Sequence, residues 1–292
     1  MYSIGVDIGG TYIKCGIIKG GKIVARDKVP TPKENNEKLI IDTIAGLIDR
    51  LLDSLSACKS CVENIGIGMA GSCEKGVCLF MPNTEWRKVR LSKLLEKRYS
   101  CKVSVVNDLK GATLGEIHYG IGKKCKDFVF VGLGTGLNIG VVKNGEYIVE
   151  GVEFGHVIVD RGGSSCGCGK KGCLESVVST KALLGYVDKY CKCGPQNVKE
   201  LFDMAKQDKT VEKAIYDYIE ALNVGLMNIC NSYRPEVIVL GGGIGEGLLP
   251  YIVDINKKLE QSKYGYPTAK KTKVVVSKVG NNCGILGVST LK

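Results

Sequence analysis

The sequence predicts an α/β protein built from two related domains, and three observations carry that prediction. Residues 10 to 24 overlay residues 134 to 148 without a gap, so part of the chain is duplicated. Apolar runs ending in glycine turns alternate with stretches of helical periodicity. At 292 residues the chain is two domains long by the usual measure, and large enough to bury cores without disulfide staples.

In the overlay Gly10-Thr11 falls on Gly134-Thr135, Gly16 on Gly140, Ile17-Ile18 on Val141-Val142, Lys19 on Lys143 and Gly21 on Gly145. Each copy reads as an apolar strand, a glycine turn, a second strand, a hairpin and a third strand. The hairpins are Lys19-Gly20-Gly21-Lys22 and Lys143-Asn144-Gly145-Glu146. After the first copy, Leu39, Ile40, Ile44, Leu47, Ile48, Leu51, Leu52 and Leu55 recur at helical spacing and predict an amphipathic helix over 36–57. Strands follow at Ile65–Met69 and at Val103–Val106. The second ends at Asn107-Asp108 before a helix of about a dozen residues, which sets Asp108 at a strand tip. Further on, a helical pattern from Val211 to Tyr233 leads through Arg234-Pro235 into a strand at Val237–Leu240, then Gly241-Gly242-Gly243 and another helix. No long linker or low-complexity segment interrupts the series.

Fourteen cysteines invite comparison with a secreted disulfide framework. The start, Met1-Tyr2-Ser3-Ile4-Gly5-Val6-Asp7, has no basic region, apolar core or small-residue cleavage site, so a reducing cytoplasmic setting is expected. No apolar run approaches the roughly 20 residues needed to span a bilayer, and no membrane partner is expected. The formal charge of +11 sits on single or paired lysines without interleaved aromatics or a reading helix. It reads as a solvated surface that attracts anionic nucleotide rather than as a nucleic-acid interface.

Asp7-Ile8-Gly9-Gly10-Thr11 reads either as an ordinary tight turn or as a phosphate turn. In the second case backbone N–H groups approach the phosphate and Asp7 holds a magnesium-water shell. Its repeat-equivalent, Gly132-Leu133-Gly134-Thr135-Gly136, favours a phosphate clamp. Gly66-Ile67-Gly68-Met69-Ala70-Gly71 is a literal G-x-G-x-x-G. The segment after it, Ser72 to Cys78, lacks helical periodicity, so the expectation is a loop at a cleft edge and not a dinucleotide fingerprint. His156, Cys166, Cys168 and Cys173 form H-x9-C-x-C-x4-C in a glycine-rich stretch, a donor set suited to a closed tetrahedral zinc site of structural type. Cys58-x-x-Cys61 and Cys191-x-Cys193 are readable as redox-active or metal-binding, with composition bias the better account. His118 reads as packed or exposed rather than catalytic.

Taken in order, these motifs resemble the ROK sugar kinases, a family of bacterial glucokinases, fructokinases, N-acetylmannosamine kinases and related repressors. The resemblance covers nearly the whole chain. It runs through Asp7 to Thr11, Pro82-Asn83, Asn107-Asp108, Gly134-Thr135-Gly136, Glu153-Phe154-Gly155-His156, the cysteine loop, Cys173-Leu174-Glu175, Gly241 to Gly243 and Gly280-Asn281-Asn282-Cys283-Gly284. It implies the actin-like (ribonuclease H-like) ATPase fold, with two related domains around a central cleft. The expected domains are 1–112 plus about 278–292, and 113–277 with the zinc loop.

The resemblance also implies roles. Asp108 would be the general base that takes the proton from a sugar hydroxyl attacking the γ-phosphate of ATP. Gly71, Asn83, Asn107, Asp108, Glu153, His156 and Glu175 would line the sugar site, with His156 serving zinc through one ring nitrogen and sugar through the other. Asp7, Gly9, Gly10, Thr11, Gly134, Thr135 and Gly136 would hold the triphosphate and Mg2+, and Gly242 and Gly243 the adenosine side. The chain departs from the family at Ala70-Gly71-Ser72-Cys73-Glu74 and at Val106, both on the rim of the expected sugar pocket. Pro82-Asn83-Thr84-Glu85-Trp86 tilts the expected substrate to glucose, phosphorylated at its 6-hydroxyl, over N-acetylmannosamine or another hexose. A sugar-responsive repressor would carry a helix-turn-helix before the first strand, which here starts near residue 2; a non-catalytic sensor would show degraded phosphate turns. A homodimer or homotetramer is implied.

Overall fold

The computed structural model describes residues 1–82, 84–148, 152–191, 194–262 and 271–292. They form two compact units, one of Met1–Lys123 with Asn282–Lys292 and the other of Lys124–Asn281.

The first unit opens with β1 (Tyr2–Ile8), β2 (Tyr12–Lys19) and β3 (Lys22–Pro30), an antiparallel meander. Helix α1 (Glu37–Ser54) begins where the Asn36 side chain accepts the Leu39 N–H at 3.1 Å, and it buries Ile40, Ile44, Leu47, Ile48, Leu51 and Leu52 along one stripe. It crosses to β4 (Val62–Met69), parallel to β1. Three short strands, β5 (Ser72–Glu74), β6 (Val77–Phe80) and β7 (Arg87–Val89), form a small sheet of their own. Helix α2 (Leu91–Tyr99), β8 (Lys102–Asn107) and α3 (Asp108–Tyr119) follow, giving a main sheet of order β3-β2-β1-β4-β8. Its core is packed from Ile4, Val6 and Ile8 of β1, Ile13 and Ile17 of β2, the stripe of α1, and Trp86, whose indole N–H donates to the Pro32 carbonyl at 2.8 Å.

The second unit repeats this plan. β9 (Phe128–Leu133), β10 (Leu137–Lys143) and β11 (Glu146–Tyr147) form the meander. Helices α4 (Glu175–Val178), α5 (Thr180–Asp188), α6 (Val198–Met204) and α7 (Lys209–Tyr233) lead to β12 (Val237–Gly241). Then come α8 (Gly242–Gly247), α9 (Ile252–Ser262) and β13 (Lys273–Val276). The sheet order is β11-β10-β9-β12-β13, with β12 parallel to both β9 and β13. The duplication extends to the hairpin turns. Gly20 and Gly21 have φ of 57° and 74°, Asn144 and Gly145 have 53° and 84°, and the residues flanking each pair are directly opposite in register. Positive φ at both central residues is the I′ geometry that follows the twist of a hairpin. The second core is centred on Val129, Val131, Ile139, Val141 and the apolar face of α7.

The strand expected at Ile65–Met69 is present as part of β4, in parallel register with β1 and β8, so Gly66 to Met69 of the G-x-G-x-x-G stretch are strand. The loop expected beyond it is corrected. The stretch after it is a hairpin, β5–β6, turning at Lys75 and Gly76 with φ of 48° and 78°. Strands of three and four residues carry too little alternation to register as a pattern.

The helix of Cys283–Val288 returns the C-terminus to the first unit and packs backbone against backbone. A Cβ at Gly66 would lie 1.7 Å from the Val288 carbonyl oxygen, one at Gly5 2.0 Å from that of Ile285, and one at Gly115 2.3 Å from that of Cys283. The glycines therefore serve close approach rather than nucleotide contact. This packing keeps α3 whole within the first unit, and the units divide at 123/124 and 281/282. Among the described residues no helix is long and apolar enough to cross a membrane.

Candidate active site and metal centre

Two carboxylates stand at the C-terminal ends of two parallel strands of the first unit, β1 and β8, with β4 between them. Asp7 is the penultimate residue of β1, directly opposite Lys14 in the β1–β2 register, and Lys14 Nζ donates to its Oδ2 at 3.2 Å. Asp108 is the first residue of α3. Asn107 caps that helix, its Oδ1 accepting the Leu109 N–H at 3.0 Å, and the same N–H reaches Asp108 Oδ1 at 2.8 Å. Burial and then the negative charge of Asp7 push the Asp108 carboxyl above the usual carboxylate range, against the pull of the Leu109 N–H. Glycines border both groups: a Cβ at Gly284 would lie 3.3 Å from Asp7 Cγ, and one at Gly68 3.5 Å from Asp108 Cα. Asn107 Nδ2 donates to the Gly71 carbonyl at 3.3 Å. Gly71 itself has φ of 92°, and a Cβ there would meet the Phe80 carbonyl oxygen at 2.3 Å, so the rim position requires glycine.

The two glycine-threonine turns are tied down alike. The Thr31 hydroxyl donates to Gly9 O at 2.7 Å and the Thr31 N–H to Thr11 O at 3.0 Å, while Lys33 Nζ donates to Gly10 O. In the second unit the Thr180 hydroxyl and N–H donate to Gly134 O at 2.8 and 2.7 Å, and Gly134 N–H closes onto Gly136 O at 3.0 Å. Both turns thus have carbonyls committed to threonine donors, and Thr11 and Thr135 are exposed. Gly242, with φ of 80°, opens α8 against the end of β9, where a Cβ would strike the Leu133 carbonyl oxygen at 2.1 Å; a Cβ on Gly243 would meet no atom within 4 Å.

His156 closes a single helical turn, Phe154–His156, and its Nδ1 faces Cys166 Sγ at 3.6 Å. Cys168 and Cys173 have their sulfurs 3.6 Å apart, and the four donor atoms all lie within 4.8 Å of one another. A tetrahedral zinc with metal–sulfur bonds of about 2.3 Å has sulfur–sulfur edges of about 3.8 Å, so donor set and spacing fit that ion. The scaffold is a distorted hairpin: Ile158 bridges Cys173, Ser165 bridges Lys171, and the tip turns on Cys166 N–H to Lys170 O at 2.8 Å. Burial, reinforced by the neighbouring sulfurs, raises the Cys173 thiol to about 12.

Glu175, the first residue of α4, joins the cysteine cluster to the second turn. Its Oε2 accepts the Leu137 N–H at 3.1 Å and would lie 2.4 Å from a Cβ on Gly136, while Cys166 Sγ donates to its Oε1 at 3.8 Å. Glu153 is exposed, and its carbonyl accepts the His156 N–H at 3.0 Å. Asn83 and Cys193 lie outside the described residues. The sequence reading overlooked Lys14, Thr31 and Thr180. Lys14 had a signal, a charged residue amid the apolar run of β2; the threonines reach the turns across long stretches of chain and had none.

Two sheets of one topology, each an antiparallel meander extended by two parallel strands and each carrying a glycine-threonine turn, define the actin-like ATPase fold. The sequence matches the ROK family over residues 3–292. It is 32% identical to a glucokinase of Halalkalibacterium halodurans, over 97% of this chain and 92% of that protein. It is 28% identical to the xylose repressor of Bacillus subtilis, over 99% of this chain and 76% of the repressor. A ROK family glucokinase from Streptomyces griseus, solved in complex with glucose and AMPPNP, superposes with a TM-score of 0.83 at 28% identity, covering 100% of this chain and 99% of that one. The chain belongs to the ROK family.

Proposed function

We propose that the protein is an ATP-dependent sugar kinase, a phosphotransferase with an alcohol group as acceptor, whose acceptor is a hexose and most specifically the 6-hydroxyl of glucose. The observation that carries this reading is the Asp7–Asp108 pair: a half-buried carboxylate with raised proton affinity at a helix start, beside a second carboxylate one strand away. A base of that kind suits proton removal from a neutral hydroxyl. The glucokinase relative and the glucose–AMPPNP complex support the substrate classes.

In the proposed mechanism Asp108 takes the proton from the sugar hydroxyl as it attacks the γ-phosphate. Asn107 and Gly71 fix the rim beside it. Asp7 would hold Mg2+ through its water shell, the ion neutralising charge on the phosphates. The turns at Gly9-Gly10-Thr11 and Gly134-Thr135-Gly136 are assigned to the triphosphate, and Gly242 and Gly243 to the adenosine side. Asn83, Glu153, His156 and Glu175 are assigned to sugar hydroxyls. Zinc held by His156, Cys166, Cys168 and Cys173 would supply no chemistry of reaction; it would order the hairpin and, through Nδ1, set the ring plane and tautomer of His156, leaving Nε2 for the sugar. The assembly is proposed to be a homodimer or homotetramer in the cytoplasm.

The test is a coupled ADP-release screen with glucose, mannose, fructose, allose, N-acetylglucosamine and N-acetylmannosamine. Turnover with glucose far above the rest is the expected outcome, and preference for another hexose would reassign the substrate. A second reading, a non-catalytic sugar sensor, draws on the similarity to the xylose repressor. It requires sugar binding with no ADP release for any of the six.

A further inference from the structure

Cys58 and Cys61 flank Lys59-Ser60 in the connection from α1 to β4, on a single tight turn closed by the Cys61 N–H on Cys58 O at 3.0 Å. Both are free thiols, Cys58 exposed and Cys61 half-buried, and their sulfurs lie 2.8 Å apart. Ser60 Oγ is 3.0 Å from Cys58 Sγ. Hydrogen bonds from Cys61 and then Ser60 hold the Cys58 thiol below its ordinary range. The turn is anchored by Lys59, whose ammonium lies 3.4 Å from Asp49 Oδ2 and over the ring of Tyr99. An exposed thiol with enhanced acidity, backed by a second thiol in contact, is the arrangement of an attacking and a resolving cysteine.

We propose that Cys58 and Cys61 are a redox-active dithiol that exchanges with low-molecular-weight disulfides. The Cys58 thiolate attacks one sulfur of the disulfide; a Cys58–sulfur bond forms, the original S–S bond breaks, and one thiolate leaves. The Cys61 thiolate then attacks Cys58 Sγ and expels the second thiolate. In sum two protein thiols are oxidised to one disulfide, the small disulfide is reduced to two thiols, and the protons of Cys58 and Cys61 end on the leaving thiolates. The new bond closes a ring of only a few residues, so it removes little chain entropy and remains easily reduced. The pair sits at the start of β4, whereas Met69 at the far end of that strand pairs with Asn107; at roughly 3.3 Å per residue the two ends are about 23 Å apart. Oxidation is therefore a modification separate from the carboxylate site.

The experiment exposes the full-length protein to oxidised glutathione and maps its cysteines by mass spectrometry. The wild type is expected to yield the Cys58–Cys61 disulfide, reversed by reduced glutathione, with ADP release unchanged. Cys61→Ser is expected to stop at a glutathione adduct on Cys58, and Cys58→Ser to leave Cys61 unmodified. Circular dichroism establishes that both variants are folded, and Cys61→Ala serves as a second resolving-cysteine variant. Adducts confined to other cysteines, or a stable Cys58 adduct in the wild type equal to that in Cys61→Ser, would overturn the proposal.

Discussion

Lys14 Nζ lies 3.2 Å from Asp7 Oδ2, the two residues directly opposed on neighbouring strands, so one carboxylate of the proposed catalytic pair carries its own counter-ion. That ammonium offsets part of the charge that Asp7 exerts on Asp108. Lys14→Met removes it, and Asp108 then takes up its proton at a higher pH. A base works only when deprotonated, so the acid limb of the kcat/KM profile is expected to move to higher pH. Profiles of the two enzymes measured at low salt check this; a limb that stays in place would separate Lys14 from the base.

Asp108→Asn is expected to lower kcat by about 10²- to 10⁴-fold while sugar binding by calorimetry stays near normal. Near-normal turnover would sink the mechanism.

The same substitution should also alter stability in a pH-dependent way. Because the folded-state carboxyl is raised, the native protein holds this proton more tightly than the unfolded chain. The contribution of Asp108 to stability is thus fully present below the ordinary carboxylate value and is lost as pH rises through the raised one. Asn carries no such loss. Thermal melts should show Asp108→Asn above the wild type at neutral pH, with the advantage vanishing in acid.

Removing the metal tests the second unit. The purified protein is expected to contain one zinc per chain by elemental analysis, and Cys168→Ser, at an exposed position of the cluster, to lose it. Structural zinc contributes roughly 10 kcal/mol or more of apparent binding energy, so the melting temperature should fall. Sugar affinity should fall with it, since Cys166 contacts both His156 and Glu175. Unchanged sugar affinity in a zinc-free protein would limit the metal to stability.

Much of this was legible because periodicity and turn chemistry are local. The duplicated meander, the α1 stripe, the strand tip at Asp108 and the clustering of His156, Cys166, Cys168 and Cys173 all follow from spacing within short windows. What escaped is long-range. The reason for Gly66 and Gly68 is one case, because nothing nearby in sequence reveals that Val288 packs where their side chains would be. Thr31 and Thr180 serve the glycine turns from 22 and 46 residues away, and no local pattern marks a donor for another segment's carbonyl. The β5–β6 hairpin was too short to show alternation.

The glycine packing gives its own prediction. A Cβ at Gly115 would lie 2.3 Å from the Cys283 carbonyl oxygen, backbone that cannot rotate away. Gly115→Ala is expected to destabilise by about 1–3 kcal/mol or more, read from urea unfolding. It should also lower kcat, since displacing the Cys283–Val288 helix moves Gly284 from its place against Asp7.

That helix has a consequence for how the chain is made. The second unit is one uninterrupted segment, Lys124–Asn281, and all of it is synthesised before Cys283 is added. The first unit holds most of its residues at the start of synthesis, yet the channel between β1, β4 and α3 stays unfilled until the end. Vectorial synthesis ordinarily lets the N-terminal part fold first. Here the carboxylate site is completed only when Asn282–Lys292 arrives, after the whole of the second unit has been synthesised.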